Sequence, residues 1–402
     1  MKSLKKSKAD IVEEILTRGV TEVVDREHLR KALLSGKKLR VKLGIDPTGS
    51  KIHLGRAVLL RKLRAFQELG HEIVLIVGDF TALVGDPSDK LAKRPRLTPD
   101  QVAENMRNYK NQLGKIIDLK SAEIRHNSSW LKKLTFAQVT ELAESFSVQQ
   151  MLARRNFKER YEQGIDISLR EFLYPLMQGY DSVAVKSDVE LGGFDQLFNL
   201  MAGRTIQKYY GEKEQDILTC EMLEGTDGRK MSTSWGNVIN IADEPNDMFG
   251  KLMSVRDELI GRYLLLTTDV SREEIDEIES DINKGANPRD AKLLLARRVV
   301  VIYHGEKAAE KAESEFLSVF QKGNLPENIK EIKINADRMG IADLLVDIGL
   351  SSSKSEATRL IEQGGVKIGG KKLNDPKSVI IITAEPLILQ SGRRHFVKVS
   401  RK

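Results

Sequence analysis

The chain has 402 residues, of which 40% are hydrophobic and 31% charged, a composition ordinary for a soluble globular protein with material for two or three domains. No apolar run approaches the length of a membrane span, and residues 1–6 are basic without a following apolar stretch. We therefore expect a cytoplasmic protein with neither a membrane segment nor a secretory signal. The single cysteine, Cys220, excludes an internal disulfide and is expected to be a small buried side chain.

Positive charge is concentrated near the C-terminus. The net charge is +7, and residues 337–402 contain 12 Lys and Arg against 7 Asp and Glu. This excess favours contact with a polyanion, although charge alone leaves an ordinary solvated surface equally open.

The first predicted elements alternate between strands and helices. A strand at 40–45 precedes a turn with Gly and Pro and an amphipathic helix at 57–69, and the apolar run at 73–77 is typical of a strand buried on both faces. This alternation predicts a doubly wound, parallel-sheet (Rossmann-like) α/β fold. In such folds the first strand-to-helix turn is the usual nucleotide site, because free backbone N–H groups there point at phosphate.

Helices then interrupt the sheet pattern. A capping box at Thr98 opens a helix predicted to reach about residue 117, others are predicted at 136–155 and 169–180, and the sheet resumes at 188–193. Strand signals vanish after residue 243. We predict a nucleotide-binding α/β domain over 1–240 with a helical insertion at about 97–165, an all-α domain over 241–324, a linker at 325–336 and a small α+β domain over 337–402.

The last domain has its own predicted elements. A short helix is expected at 341–348, a capping box formed by Ser353 and Glu356 opens a second helix at 354–363, and a hairpin turns at Gly369-Gly370.

Two short segments predict a triphosphate site. Residues 46–56 place His53 and Gly55 at the first strand-to-helix turn, and residues 230–234 form a loop led by Lys230 and rich in hydroxyl groups. His53 and Lys230 can donate to phosphate oxygens, and Gly55 leaves room for the nucleotide. Each segment alone is as well explained by a turn with an incidental histidine or by a polar surface loop, whereas the pair favours ATP.

Three further segments suit a small polar ligand. Tyr174, Gln178 and Asp181 share one helix face. A solvated face is the alternative, but the apolar neighbours indicate a buried helix whose polar groups need partners. Asp86 follows a buried strand, where α/β folds bind ligands. Asp195 follows two glycines, and a tight turn with a helix-capping aspartate explains it equally well.

In this order, these segments resemble the tyrosyl-tRNA synthetase family of class I aminoacyl-tRNA synthetases over essentially the whole chain, with signatures of the HIGH and KMSKS types. The resemblance implies that L-tyrosine and ATP form tyrosyl-adenylate and pyrophosphate, and that the tyrosyl group passes to the 3′ end of tRNA(Tyr). It implies ATP as substrate with accompanying Mg²⁺, no protein-bound metal, a homodimer, and no membrane partner. It also implies that the all-α domain recognises the anticodon and that the last domain is an alpha-L-type RNA-binding module, similar to part of a small-subunit ribosomal protein.

The resemblance also implies individual roles. The residues implied to bind tyrosine are Asp86, Tyr174, Gln178, Asp181 and Gln196, with Asp181 accepting the phenolic hydroxyl. Those implied to bind ATP are Gly44, Asp46, Thr48, His53, Gly55, Gly193, Asp195 and Lys230. Those implied to act in catalysis are His53, Arg56, Lys230 and Thr233. Those implied to bind RNA are Lys354, Arg359, Lys371 and Lys372.

Three positions depart from the family pattern. Lys42 stands where many relatives have a tyrosine, so it either points away from the substrate or pairs with a carboxylate. Arg56 replaces the second histidine of the first signature and Thr233 the second lysine of the other, and we hypothesise that these two changes compensate. The departures leave two alternative functions open: an inactive paralogue that binds RNA, and a different nucleotidyltransferase.

Overall fold

The computed structural model describes residues 6–86, 97–231, 235–322, 329–392 and 395–402. The chain divides into two compact units, one formed by Met1–Asp243 with Lys251–Tyr303 and the other by Glu244–Gly250 with His304–Lys402. No helix among the described residues has both the length and the apolarity needed to cross a membrane.

The first unit is built on a six-stranded sheet. In chain order its strands are β1 (Val20–Val24), β2 (Arg40–Ile45), β3 (Glu72–Val77), β4 (Ala122–His126), β5 (Val189–Gly193) and β6 (Asp216–Cys220). Across the sheet the order is β1-β6-β5-β2-β3-β4. Strands β2 to β6 pair in parallel, and β1 pairs antiparallel with β6 at the edge. The predicted doubly wound α/β fold is thus confirmed.

Strands β2 and β3 bury apolar side chains, and β3 has the predicted continuous apolar run. Val41 and Leu43 in β2 and all residues of β3 from Ile73 to Val77 are buried, as expected where helices cover both faces of a parallel sheet. Cys220, at the end of β6, is also buried, and burial raises the pKa of its thiol to about 11. It is the small buried side chain that the sequence predicts.

Helices cover this sheet and fill the insertion. The helices up to the end of the sheet are α1 (Lys8–Thr17), α2 (Arg26–Leu34), α3 (Leu54–Glu68), α4 (Thr81–Val84), α5 (Pro99–Met106), α6 (Tyr109–Leu113), α7 (Ser128–Leu131), α8 (Phe136–Glu144), α9 (Val148–Leu152), α10 (Arg155–Glu162), α11 (Leu169–Val185) and α12 (Leu197–Tyr209). Those that follow are α13 (Pro245–Met253), α14 (Ile260–Thr267), α15 (Arg272–Asn283), α16 (Pro288–His304) and α17 (Glu306–Lys322).

The insertion differs from its prediction in two respects. The helix predicted at 136–155 is wrong as one element: Ser147 forms a new capping box with Gln150, so α8 ends and α9 begins there. The helix predicted from Thr98 to about 117 is likewise two helices, although its capping box is present. The insertion also contains strand β4, which lies in parallel beside β3.

The second unit contains α17 and a small α+β unit. The elements of the latter are β7 (Lys330–Ile334), β8 (Arg338–Gly340), α18 (Ile341–Asp347), α19 (Lys354–Glu362), β9 (Val366–Ile368), β10 (Lys371–Lys372), β11 (Val379–Ile381), β12 (Leu387–Ser391) and β13 (His395–Arg401). Five strands form a sheet in the order β10-β9-β12-β13-β7, and β11 pairs with β8. Their shared core includes Ile341, Leu344, Ile361, Leu389 and Val399.

Two details of this unit differ from the sequence analysis. Strand β7 lies within the segment predicted as a linker and pairs in parallel with β13. The Ser353 hydroxyl accepts from the Glu356 N–H, but the Glu356 carboxylate accepts from the Ser352 N–H instead of closing the predicted capping box.

Candidate active site

The carboxyl ends of β5, β2, β3 and β4 lie side by side and bring most of the predicted site residues together. Asp46 directly follows β2, Asn127 directly follows β4, and Asp195 lies two residues after β5. This edge is where open α/β sheets bind ligands, because the strand-to-helix turns there leave backbone groups free.

Asp46 is the centre of the first cluster. Its carboxylate accepts hydrogen bonds from the Tyr174 hydroxyl at 2.9 Å and the Thr81 hydroxyl at 2.7 Å. Burial raises its pKa to about 6. A side chain at Gly78 would bring a Cβ within 1.9 Å of Asp46 Oδ1, so this position requires glycine. Asp46 and Tyr174, predicted on the nucleotide side and the tyrosine side of the site, are thus in direct contact.

Asp181 lies at the other end of the same hydrogen-bond chain. It accepts from the Trp130 indole N–H at 2.7 Å and from Asn127 Nδ2 at 3.3 Å. The same Asn127 amide donates to the Thr81 hydroxyl at 3.0 Å, and Thr81 donates to Asp46. A continuous chain of polar groups therefore joins Asp181 to Asp46.

The environment of Asp181 sets its charge. The carboxylate is buried, and this burial raises its pKa to about 7, against the opposing effects of the Lys42 cation and of its two hydrogen-bond donors. Trp130 and Asn127 are absent from the sequence-predicted site. Both follow the end of β4, a strand that was not predicted from the sequence, so recognising that strand would have pointed to them.

Lys42 pairs with a carboxylate. Its ammonium lies 2.9 Å from Glu190 Oε1 and donates to the Ser182 hydroxyl at 2.7 Å and the Gln178 carbonyl at 3.1 Å. Glu190 also accepts from the Gln178 and Gln215 side-chain amides. Lys42 and Glu190 are both fully buried, so this ion pair lies in the interior directly next to Gln178 of α11.

A second cluster joins Asp86, Gln196 and Arg154. Gln196 Nε2 donates to Asp86 Oδ2 at 2.7 Å, and Asn199 donates to the Gln196 carbonyl oxygen at 2.9 Å. Arg154 Nη2 lies 3.6 Å from Asp86 Oδ1. The structure therefore brings together Asp86 and Gln196, two of the residues implied to bind tyrosine, and adds Arg154, which was not among them.

The lysine-led loop approaches the same edge of the sheet. Lys230 Nζ lies 3.9 Å from Asp195 Oδ2, and a Cβ at Gly193 would come within 2.6 Å of Asp195 Oδ1. Two residues that the family resemblance implies to bind ATP, Asp195 and Lys230, are thus neighbours. Thr233 lies outside the described residues.

His53 and Gly55 pack against the start of that loop. His53 immediately precedes α3, and burial lowers its pKa to about 3, with a further contribution from Arg56, so the imidazole is neutral. A Cβ at Gly55 would lie 3.1 Å from His53 Nδ1 and 3.3 Å from the Met231 sulfur. The glycine therefore allows the first signature to lie directly against the second.

Arg56 is held in place by two residues. It donates to the Tyr109 hydroxyl at 2.8 Å and to the Thr48 hydroxyl at 2.6 Å. The first of these partners lies in the insertion and the second in the turn after β2. Gly44, in β2, completes this side of the site, with open space where a Cβ would lie.

The predicted RNA-binding residues lie in the second unit. Lys354, Arg359, Lys371 and Lys372 are all exposed, and Lys354 forms an ion pair with Asp343. In the part of the chain that the structure describes, no three His, Cys, Asp or Glu side chains are grouped so as to hold a metal ion.

The sheet topology and the paired signature segments define a class I synthetase. A family model described as tRNA synthetases class I (W and Y) matches residues 34–321, and a model of the S4 domain matches residues 339–380. The C-terminally truncated mitochondrial tyrosyl-tRNA synthetase of Aspergillus nidulans has the same fold, with a TM-score of 0.65 and 24% identity over 79% of this chain and 96% of that chain.

Sequence relatives define the group more narrowly. The tyrosine–tRNA ligase of Thermotoga maritima is 49% identical and the alignment covers 96% of each chain. That of Carboxydothermus hydrogenoformans is 47% identical over 96% of this chain and 97% of the relative. The chain belongs to the class I tRNA synthetases of the tryptophan and tyrosine type, and among them to the bacterial-type tyrosyl-tRNA synthetases.

Proposed function

We propose that the chain is a tyrosine–tRNA ligase, which activates L-tyrosine with ATP and transfers the tyrosyl group to the 3′ end of tRNA(Tyr). The observation that carries this proposal is the buried carboxylate of Asp181, held by Trp130 and Asn127 and joined by hydrogen bonds to Asp46 at the nucleotide-type turn. A phenol that donates to Asp181 would place the rest of a tyrosine molecule towards that turn.

The tyrosine side of the site is proposed to distinguish tyrosine from phenylalanine through the buried carboxylate of Asp181. A phenylalanine ring would leave Asp181 buried without the hydroxyl that it binds, and a buried acceptor left unsatisfied costs about 1–3 kcal/mol, more when it is charged. Asp86, Tyr174 and Gln178 are proposed to hold the substrate ammonium, and Gln196 to lie near its carboxylate. The contact of Gln196 with Asp86 supports this arrangement.

The nucleotide side stabilises charge and needs no catalytic base. The tyrosine carboxylate attacks the α-phosphate in line and pyrophosphate leaves, so the protein must orient both reactants and neutralise the triphosphate. His53, being neutral, can donate an N–H to a phosphate oxygen, and Arg56 and Lys230 supply positive charge, with Thr233 on the same loop as Lys230. Asp46, Thr48 and the backbone at Gly44, Gly55 and Gly193 line the nucleotide, and Asp195 takes the ribose. Mg²⁺ arrives with ATP as part of the substrate.

The remaining domains are proposed to bind tRNA. The catalytic domain occupies 1–240, the helical domain over 241–324 recognises the anticodon, and after the segment 325–336 the domain over 337–402 binds RNA through Lys354, Arg359, Lys371 and Lys372. The exposure of these four cations supports phosphate contacts. A tRNA substrate and a single buried thiol fit a cytoplasmic location.

A homodimer is proposed through the insertion. Three large apolar side chains there are exposed, Phe136 (85%), Tyr161 (68%) and Val148 (61%), and Leu169 (79%) is exposed at the start of α11, just after the insertion. Exposed apolar side chains in such number favour burial in a protein interface.

Exchange of labelled pyrophosphate into ATP tests the activation step. We expect exchange that depends on L-tyrosine and is absent with L-phenylalanine or L-tryptophan. A protein that bound tRNA(Tyr) without any exchange would be the inactive RNA-binding paralogue, and exchange with another cosubstrate would indicate a different nucleotidyltransferase. Neither alternative is favoured, because full-length relatives at almost half identity are tyrosine–tRNA ligases.

A further inference from the structure

Arg154 is a buried arginine that forms an ion pair with Asp86 but has no hydrogen-bond acceptor for its terminal nitrogens among the described residues. It precedes α10, its side chain is only 5% exposed, and neither terminal nitrogen makes a hydrogen bond to any part of the chain that the structure describes. The guanidinium lies against two aromatic rings, 5.4 Å from the centroid of Phe157 and 5.5 Å from that of Phe198. Buried donors are nearly always paired, so a guanidinium that lies between two aromatic rings and makes no hydrogen bond to the described residues is suited to bind an anionic ligand group.

The position of Arg154 indicates which ligand group it meets. Its nearest acidic neighbour is Asp86, at 3.6 Å, which is the residue proposed to hold the substrate ammonium. In an amino acid the ammonium and the carboxylate are bonded to the same carbon atom. A protein group that binds the carboxylate must therefore lie directly beside the group that binds the ammonium, and Arg154 does.

Charge balance requires such a cation. Asp46, Asp86, Asp181 and Asp195 all contribute carboxylates to this edge of the sheet, and ATP adds further negative charge. A substrate carboxylate would be repelled unless a cation faced it. Arg56 donates to Thr48 and Tyr109 on the nucleotide side, and Lys42 is paired with Glu190 beside Gln178. Among the described residues, Arg154 is the buried cation that lies next to Asp86.

We propose that Arg154 is a catalytic residue that binds the α-carboxylate of the tyrosine substrate. This inference rests on the proposed function. Arginine holds one carboxylate oxygen through charge-assisted hydrogen bonds and leaves the other free to attack the α-phosphorus. One P–O bond forms to the carboxylate, the P–O bond to pyrophosphate breaks, and no proton moves. Arg154 then remains on the carbonyl oxygen of the mixed anhydride.

Paired changes to ligand and protein test this role. L-Tyrosine is compared with tyramine, which keeps the phenol and the ammonium but has no carboxylate, by equilibrium binding to the full-length protein. Wild-type protein is expected to bind tyrosine more tightly. The Arg154→Met variant should lose roughly 10- to 150-fold in tyrosine affinity, the effect of a charge-assisted hydrogen bond, while its tyramine affinity changes less than about twofold. Arg154→Lys keeps the positive charge but not the planar guanidinium, so its tyrosine affinity should lie between those of wild type and Arg154→Met.

The control and the contradictory outcomes are distinct. Arg204→Met removes a part-buried arginine of α12 that donates to the Gln215 carbonyl, and it should leave the preference for tyrosine over tyramine unchanged. Equal losses for both ligands in Arg154→Met would make Arg154 a packing residue and overturn the inference. So would equal affinity of wild-type protein for tyrosine and tyramine, a measurement that needs no variant to fold. Folded wild-type protein that bound neither ligand would instead refute the proposed function.

Discussion

The buried ion pair of Lys42 and Glu190 should contribute to the stability of the fold as a coupled pair. Lys42→Met leaves the Glu190 carboxylate, 1% exposed, without its cation. Removing one partner of a buried pair costs about 3–5 kcal/mol, because an uncompensated charge stays in the interior. The double variant Lys42→Met/Glu190→Gln removes both charges at nearly constant volume and should recover most of this loss, so we expect a coupling free energy of about 2 kcal/mol or more.

The same variants should move the ionisation of Asp181 in opposite directions. Burial raises the pKa of Asp181 to about 7, while the Lys42 cation lowers it and the Glu190 carboxylate raises it. Lys42→Met should therefore raise this pKa further and Glu190→Gln should lower it. Since the ionised carboxylate is the acceptor for the phenol, tyrosine binding is lost as pH falls through this pKa.

Two measurements check this prediction. Urea unfolding is followed by tryptophan emission, which reports on the first unit because both tryptophans of the chain, Trp130 and Trp235, belong to it. Tyrosine affinity is then titrated against pH for wild type and both single variants. Additive losses of stability in the double variant would contradict the coupling, and pH midpoints that shifted in the same direction for both single variants would refute the electrostatic reasoning.

Three further predictions concern other parts of the molecule. The pKa of Asp181 is about 7 in the folded protein and 3.8 in the unfolded chain, so its ionisation destabilises the fold increasingly as pH rises between these values. Asp181→Asn should therefore raise the free energy of unfolding by about 2–4 kcal/mol at about pH 8 and change it little below about pH 4. The same variant should abolish selection of tyrosine over phenylalanine. Denaturation at about pH 8 and about pH 4 measures the stability change, and pyrophosphate exchange with tyrosine and with phenylalanine measures the selectivity. An equal gain in stability at both pH values would contradict the prediction. Arg56→Ala and Thr233→Lys should have non-additive effects on the rate of adenylate formation, whereas additive activation free energies would remove the compensation hypothesis. Lys371→Ala/Lys372→Ala should weaken tRNA binding at low salt and reduce the slope of log affinity against log salt by about 1–2, and unchanged affinity would exclude these residues from the RNA surface.

The sequence predicted the elements whose patterns are locally strong. Strand β3 has a continuous apolar run, and the predicted capping box at Thr98 begins α5. Strand β4, Ala122-Glu123-Ile124-Arg125-His126, was missed because it lies at the sheet edge, where one exposed side allows charged residues. Strand β7 has a similarly charged sequence and becomes a strand only through pairing with β13.

The candidate site likewise contains residues that local motifs predict and residues that only the fold brings to it. Motif spacing pointed to Asp46, Asp181 and Lys230, and the structure brings their neighbourhoods to one edge of the sheet. The groups that hold these residues come from distant positions: Trp130 binds Asp181 across 51 residues, and Arg154 approaches Asp86 from the insertion. Such partners depend on which strands and helices meet, so the sequence points to them only once the neighbouring elements, such as β4, are recognised.

Charging of tRNA(Tyr) with labelled L-tyrosine tests the central claim most directly, because it requires both chemical steps and the RNA-binding surface in one protein. Purified protein, ATP with Mg²⁺, tyrosine and tRNA(Tyr) should yield tyrosyl-tRNA up to about one tyrosine for each tRNA, with no charging by phenylalanine. Folded protein that binds the tRNA but attaches no tyrosine to it would contradict the account.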